Sequence, residues 1–207
     1  GAGGGRRQLA GCEMSTLIGI TGGIGSGKSA VTRDLRSRGY FVICADETAR
    51  EVVRPGEPGA EALLAEYGEG FFLPDGALDR KKLAAYVFGY PERVARLNSL
   101  LHPVIIQRMF EQARERDGLV FLDAALLIQT GMHKKVNEVW LVTADLETRI
   151  RRVMQRDGLT RDEVLRRIHA QMSDEDMRRY ADEVIENNGT LEQLHEKIGE
   201  LLSQRGI

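Results

Sequence analysis

The sequence has little of what marks secreted, membrane or nucleic-acid-binding proteins. Cys12 and Cys44 are its only cysteines in 207 residues, and two cysteines so far apart predict neither a disulfide framework nor a zinc site. No apolar run approaches the ~20 residues that a membrane-spanning helix needs. The net charge is only −2, so no basic excess indicates nucleic acid or an anionic membrane as a partner. We therefore expect a cytoplasmic protein that binds neither.

Residues 1–13 are rich in glycine and include Arg6 and Arg7, but they contain no long apolar stretch. The absence of such a stretch argues against a signal peptide. We interpret residues 1–13 as a tag remnant or an upstream extension that stands outside the fold.

From Met14 onward, short apolar runs alternate with segments of helical spacing, which predicts an α/β fold with a parallel sheet covered by helices on both faces. A long helical insertion, broken near Pro91 and Pro103, separates the second strand from the third. Thr160 and Glu163 form a capping-box pattern that predicts a helix start. Five strands are predicted, at residues 16–21, 40–44, 119–123, 138–142 and 182–186.

Residues 22–29 form a complete Gly-x-x-x-x-Gly-Lys-Ser phosphate-binding loop. Its glycines allow the backbone N–H groups to approach phosphate oxygens, and the following helix presents its positive end to the same anion. Lys28 would reach the β- and γ-phosphates of ATP, and the Ser29 hydroxyl would bind Mg²⁺. The predicted nucleotide contacts are Gly23, Ile24, Gly25, Ser26, Gly27, Lys28, Ser29 and Ala30.

Two aspartates follow predicted strands, and both would lie at the carboxyl edge of the sheet, where ligands bind. Asp123 resembles the carboxylate that helps to organise Mg²⁺ in phosphate-loop enzymes. Asp46 would face the acceptor and could orient or deprotonate its hydroxyl. The alternative for each aspartate is an N-cap of the next helix.

Arg149, Arg152 and Arg156 fall on one face of a predicted helix. A basic helical pair of this kind could close over ATP and neutralise charge on the transferring phosphoryl group. The alternative is a solvated helix face, which we expect for Arg149 and for the other arginines in residues 146–172 apart from Arg152 and Arg156. His102, before Pro103, fits either a cap or a substrate contact.

Together these segments resemble the dephospho-coenzyme A kinase family. The resemblance implies ATP-dependent, Mg²⁺-assisted phosphorylation of the ribose 3′-hydroxyl of dephospho-coenzyme A, the last step of coenzyme A biosynthesis. It also implies a three-layer phosphate-loop kinase fold. The matching segments are residues 20–29, 44–50, 101–104, 154–158, 171 and 181–189.

The resemblance also implies a division of the chain and roles for several residues. Residues 14–45, 118–145 and 173–207 would form the nucleotide-binding core, residues 46–117 the helical substrate domain, and residues 146–172 the lid. The oligomeric state stays open, and a weak homo-oligomer is compatible with the sequence. Asp46 would be the acceptor-side catalytic aspartate, Arg152 and Arg156 the lid arginines that act with Lys28, His102 a substrate contact and Asn188 a contact near adenine.

The chain departs from the family pattern after the third strand. The family usually reads Asp-x-Pro-Leu-Leu-Phe-Glu there, whereas this chain has Ala125 in place of the proline and Gln129 in place of the acid. An acidic role for that loop is therefore in doubt. Ala30 also stands where relatives often have threonine, which removes one hydroxyl near the phosphates but not the predicted Mg²⁺ ligand.

Two other functions fit the phosphate loop alone. A nucleoside monophosphate kinase would differ in its acceptor, and an acceptor screen would separate it. A GTPase-type switch is disfavoured because Asp123 opens Asp-Ala-Ala-Leu, without the glycine of an Asp-x-x-Gly switch, and because no Asn-Lys-x-Asp motif is present.

Overall fold

The computed structural model describes residues 15–206, so the predicted tag or extension at residues 1–13 lies outside the described part. The strands form one sheet in the order β2-β3-β1-β4-β5, and all neighbouring strands are parallel. The predicted five-stranded parallel sheet is confirmed. Its strands are β1 Thr16–Gly22, β2 Phe41–Cys44, β3 Leu119–Asp123, β4 Glu138–Thr143 and β5 Glu183–Glu186.

Helices cover both faces of this sheet, as the alternating pattern predicts. Short 3₁₀ turns at Glu69–Phe71 and Met132–Lys135 complete the regular structure of residues 15–206. The capping box at Thr160 is confirmed, because the Thr160 side chain and the Glu163 side chain each bond the other residue's backbone N–H. The helices are α1 Lys28–Ser37, α2 Ala45–Glu51, α3 Pro58–Tyr67, α4 Arg80–Val87, α5 Pro91–Arg114, α6 Leu146–Asp157, α7 Arg161–Ala170, α8 Asp174–Arg178 and α9 Leu191–Ser203.

The break predicted at Pro103 is wrong, because α5 runs through it without interruption. A proline inside a helix costs about 3 kcal/mol, so other interactions must offset that cost. Leu97 and Leu101 pack on the apolar cluster of the insertion, and Met109 and Ala113 pack on the sheet. Packing on both sides of Pro103 therefore holds the segment as one helix.

The register of the central strands determines where their ends meet. Asp123 of β3 pairs with Ile20 of β1 on one side and with Cys44 of β2 on the other. The carboxyl ends of β1, β2 and β3 therefore lie side by side. The phosphate loop follows β1 and Asp46 follows β2, so all three predicted features come to one edge of the sheet.

Each face of the sheet has its own apolar core. Val31 and Leu35 of α1 and Ile198 of α9 pack with Phe121 and Trp140 on one face. On the other face, α5 and the segment after β3 cover the sheet. Because β1, β3 and β4 are buried on both faces, their sequences are continuous apolar runs rather than alternating ones.

The helical insertion and the α6–α7 pair each have a separate apolar cluster. Val52, Leu63 and Leu83 form the centre of the first. Ile150, Val153, Val164 and Ile168 form the second. The division into a substrate domain at residues 46–117 and a lid at residues 146–172 stays a prediction, and these clusters are compatible with it.

Within residues 15–206, no helix combines the length and the apolar character that crossing a bilayer requires.

Phe121→Ala should destabilise the protein by about 3–5 kcal/mol. Phe121 is fully buried, and its ring meets that of Trp140 edge to face, with the centroids 5.3 Å apart. Phe88→Ala is the matched control, because Phe88 is 83% exposed and its loss should change stability by no more than about 0.5 kcal/mol. Urea unfolding of the three proteins measures both effects. Equal midpoints for the two variants would contradict this account of the core.

Candidate active site

The phosphate loop connects the end of β1 to the start of α1 and turns through two glycines with positive φ. Gly25 has φ +78° and Gly27 has φ +87°, a conformation that side-chain-bearing residues rarely adopt. Four N–H groups here, those of Gly25, Gly27, Lys28 and Ser29, have no acceptor within residues 15–206. Unpaired donors at a helix N-terminus are a ready binding site for an anion such as phosphate.

Lys28 and Asp123 meet at the base of this loop. The Lys28 ammonium contacts Asp123 Oδ1, and the Thr32 hydroxyl donates to Asp123 Oδ2 at 3.0 Å. Asp123 is only 5% exposed. No helix follows it directly, so the N-cap alternative for Asp123 is wrong. The predicted pair of a lysine and a strand-end carboxylate is thus brought together by the fold.

The outer side of the loop is held by residues from α6 and from the segment after α7. Arg149 donates from Nε to the Ile24 carbonyl at 2.9 Å, and the Ile24 N–H donates to Gln171 Oε1 at 2.9 Å. The N–H of Ile24 is therefore already used within the protein. The expectation of a solvated Arg149 is wrong, because this side chain is buried against the loop.

Arg152 also contacts the loop, but through carbonyl oxygens. Its Nη1 donates to Gly25 O and Ser26 O, both at 3.2 Å, and its Nη2 donates to Asn187 O at 2.6 Å. Burial lowers the pKa of Arg152 from the usual arginine value. Its present partners fix the loop's backbone and connect it to the end of β5.

Arg156 is not brought to the loop. Its side chain is 60% exposed and pairs with the adjacent Asp157 through contacts of 2.9 and 3.1 Å. The hydrogen bond to Asp157 raises the pKa of Arg156. Of the two predicted lid arginines, only Arg152 therefore contacts the phosphate loop in this structure.

Two neighbouring asparagines follow β5 and have different contacts. Asn188 accepts a hydrogen bond at Oδ1 from the Asp145 N–H at 2.7 Å, which ties it to the start of α6. Asn187 is buried and donates from Nδ2 to Ser26 O at 3.1 Å. Asn187 is therefore a loop contact that the sequence reading missed, and the adenine contact of Asn188 stays a prediction.

Asp46 and His102 line one cavity of about 320 Å³, between α2, α5 and the segment after β3. Asp46 is the second residue of α2, whose N-cap is Cys44, so the N-cap alternative for Asp46 is wrong. His102 lies within α5 and does not cap it. Burial lowers the pKa of His102 from the usual histidine value, which favours the neutral imidazole.

The unusual segment after Asp123 forms one wall of this cavity. Ala125 lines it and accepts a hydrogen bond at its carbonyl oxygen from the Thr21 hydroxyl at 3.2 Å. Gln129 faces an adjoining groove of about 810 Å³, which also holds Arg114 and Lys135. Among the described side chains that line this groove, none is a carboxylate.

Sequence reasoning missed Thr32, Asn187 and the true position of Arg149. One signal was available for Arg149, because it directly precedes Ile150 and lies one turn before Val153, and both are buried residues of α6. Thr32 also lies one turn after Lys28. No sequence pattern distinguished Asn187 from its neighbour Asn188.

A family model described as Dephospho-CoA kinase matches residues 16–193. This chain belongs to the dephospho-CoA kinase family. The match covers the phosphate loop, the insertion, the segment with the arginines and both asparagines, so the resemblance predicted from the sequence is confirmed.

Individual relatives support the same family. The chain is 45% identical to a dephospho-CoA kinase of Geobacter sulfurreducens over 193 residues, which cover 91% of this chain and 98% of the relative. It is 42% identical to one of Corynebacterium glutamicum, covering 90% and 96%. A solved Thermus thermophilus structure is 41% identical, with a TM-score of 0.76 and coverage of 92% and 98%. A shikimate kinase of Acinetobacter baumannii, 19% identical with a TM-score of 0.54 and coverage of 93% and 96%, shares the fold.

Gly27→Ala should weaken ATP binding by roughly tenfold or more. A Cβ on Gly27 would overlap the Asn187 amide nitrogen, so the loop or Asn187 must move. Gly39→Ala is the matched control, because Gly39 also has positive φ but has open space around it. Both variants should lose about 1–2 kcal/mol of stability to backbone strain. Calorimetric ATP titration compares their affinities, and similar weakening in both would refute a specific role for the Gly27 contact.

Proposed function

We propose that this chain transfers the γ-phosphoryl group of ATP to the ribose 3′-hydroxyl of dephospho-coenzyme A, giving coenzyme A and ADP. The observation that carries this proposal is the family match over residues 16–193, on a chain whose phosphate loop opens at the same sheet edge as the Asp46–His102 cavity. The reaction would complete coenzyme A biosynthesis. ATP and dephospho-coenzyme A are then its small-molecule partners.

On the nucleotide side, the unpaired N–H groups of Gly25, Gly27, Lys28 and Ser29 would bind phosphate oxygens. Lys28 would exchange part of its contact with Asp123 for the β- and γ-phosphates. Asn188 bonds Asp145 through its oxygen and its side-chain NH₂ group has no acceptor within residues 15–206, which suits a contact to adenine. These assignments use donors that the fold has already oriented, as charge stabilisation of a loose transition state requires.

The residues present also fit a bound Mg²⁺. Ser29 follows Lys28 in the first turn of α1, and the buried carboxylate of Asp123 contacts Lys28 and Thr32 of the same helix. Such an all-oxygen donor set is what Mg²⁺ prefers. Ser29 would bind the ion directly and Asp123 through water. When bound, Mg²⁺ would neutralise charge on the β- and γ-phosphates.

The two lid arginines would have different roles. Arg152 is held by three backbone carbonyls, so leaving them would cost several charge-assisted hydrogen bonds. Arg156 is exposed, and its only ion-pair partner within residues 15–206 is Asp157; an exposed ion pair is easily exchanged. Arg156 is therefore the better candidate to move onto the transferring phosphoryl group, and Arg152 the better candidate to hold the loop.

On the acceptor side, Asp46 would accept a hydrogen bond from the 3′-hydroxyl and orient its oxygen for in-line attack. His102 lines the same cavity, and its neutral imidazole can both donate and accept a hydrogen bond. The apolar walls of this cavity, including Leu101 and Ile105, would exclude water from the attacking hydroxyl. Gln129 supplies no charge to the site, so Asp46 would be its acceptor-side carboxylate.

A coupled assay with ATP, Mg²⁺ and dephospho-coenzyme A tests the function directly. AMP and shikimate serve as alternative acceptors, because they represent two other kinds of phosphate-loop kinase. We expect strong preference for dephospho-coenzyme A, and a product whose mass shows one added phosphoryl group. Equal or better turnover with AMP or shikimate would overturn the proposal.

Asp46→Asn should lower kcat by about 10²–10⁴-fold while ATP affinity stays near the wild-type value. The amide keeps the size of the carboxylate but is a poorer acceptor for the hydroxyl proton. Asp117→Asn is the matched control, because Asp117 is exposed just before β3, at the opposite edge of the sheet. Steady-state kinetics and calorimetry separate the two effects. Wild-type kcat in Asp46→Asn would exclude the role assigned to Asp46.

A further inference from the structure

The backbone of Ile24 is held on both sides by residues outside the phosphate loop. Its carbonyl accepts from Arg149 in α6, and its N–H donates to Gln171, which directly follows α7. The backbone carbonyl and N–H of Ile24 are therefore fixed by side chains that lie 125 and 147 positions away in the sequence.

The loop needs support of this kind because of its composition. Gly22, Gly23, Gly25 and Gly27 surround Ile24, and glycine loses more conformational freedom on ordering than any other residue. A loop that samples many conformations binds its ligand more weakly. Its apparent affinity falls in proportion as the fraction of time spent in the binding-competent conformation falls. Contacts that fix Ile24 raise that fraction before any phosphate arrives.

Arg149 is placed at this position despite the cost of burying its charge. It is only 6% exposed, and a buried guanidinium destabilises a protein unless it is paired. Asp174 supplies the counter-charge, with its Oδ2 at 3.5 Å from Arg149 Nη1. The absence of a side chain on Gly23 makes room for the guanidinium, since a Cβ there would overlap Arg149 Nη2.

We propose that Arg149 is a positioning residue for nucleotide binding, which orders the phosphate loop from its outer side through Ile24 and does not itself touch ATP. The inference rests on the proposed function, because it takes ATP to be the ligand of the loop. Loss of Arg149 then raises the Kd and the KM for ATP. It leaves the KM for dephospho-coenzyme A near the wild-type value, because Arg149 does not line the Asp46–His102 cavity.

Arg149→Met tests this directly, because methionine keeps much of the stem but removes the donor and the charge. We expect roughly a tenfold to hundredfold rise in the Kd for ATP, as for the loss of a charge-assisted hydrogen bond. Arg151→Met is the matched control, since Arg151 is exposed in the same helix and makes no side-chain hydrogen bond within residues 15–206. Calorimetry with ATP and kinetics with each substrate give the comparison.

A second variant separates the loop contact from the unpaired charge left on Asp174. Asp174→Asn combined with Arg149→Met removes that charge, so stability should partly recover while ATP affinity stays weak. Amide hydrogen exchange of residues 22–30 should be faster than in the wild type in Arg149→Met and in the double variant. Recovery of ATP affinity in the double variant would overturn the proposal, because the effect would then come from Asp174.

Other outcomes are also decisive. Unchanged ATP affinity in folded Arg149→Met contradicts the inference, and so does an equal rise in KM for both substrates, which would indicate general destabilisation. If Arg149→Met does not fold, Gln171→Met decides, since it removes the other Ile24 contact from an exposed position and should also weaken ATP binding. A wild type that bound ATP but left dephospho-coenzyme A unphosphorylated would refute the proposed function, while the ATP-affinity comparison would still hold.

Discussion

Asp123 is buried at the carboxyl end of β3, where one oxygen contacts the Lys28 ammonium and the other accepts from Thr32. A buried carboxylate is strongly unfavourable without such partners, so β3 and the first two turns of α1 are bound to each other. Since β1 pairs with β3, the residues that precede and follow the phosphate loop are both fixed relative to Asp123. The distance between the two ends of the loop is therefore fixed, and glycines allow the backbone to turn tightly enough to connect them.

Local signals were strong enough to predict most of this framework. Strand β3 was predicted with its observed limits, because a buried parallel strand is a continuous apolar run between turn residues. The start of α7 followed from the capping box at Thr160. Lys28 belongs to a motif whose spacing is fixed by one strand, one turn and one helix, and Asp123 follows from the end of the apolar run of β3.

Contacts between distant segments could not be predicted in the same way. The local pattern predicts that an arginine beside Ile150 is solvated, because arginines are mostly exposed. Burial of Arg149 is favourable only because the phosphate loop lies against it. Pro103 reads as a helix break because its local cost is evident, whereas the packing that offsets it comes from residues in two separate clusters. In both cases tertiary packing determined the outcome against the local preference.

The glycines of the loop illustrate why a motif does not describe a site completely. The motif explains them by the tight turn and the approach of phosphate on the inner side. In this structure Gly23 also leaves space for Arg149, and Gly27 for the Asn187 amide. A side chain at either position would therefore displace a supporting group even if the phosphates still fitted. Phosphate binding and these supporting side chains thus both require glycine in the loop. The second requirement comes from Arg149 and Asn187, which the motif does not contain.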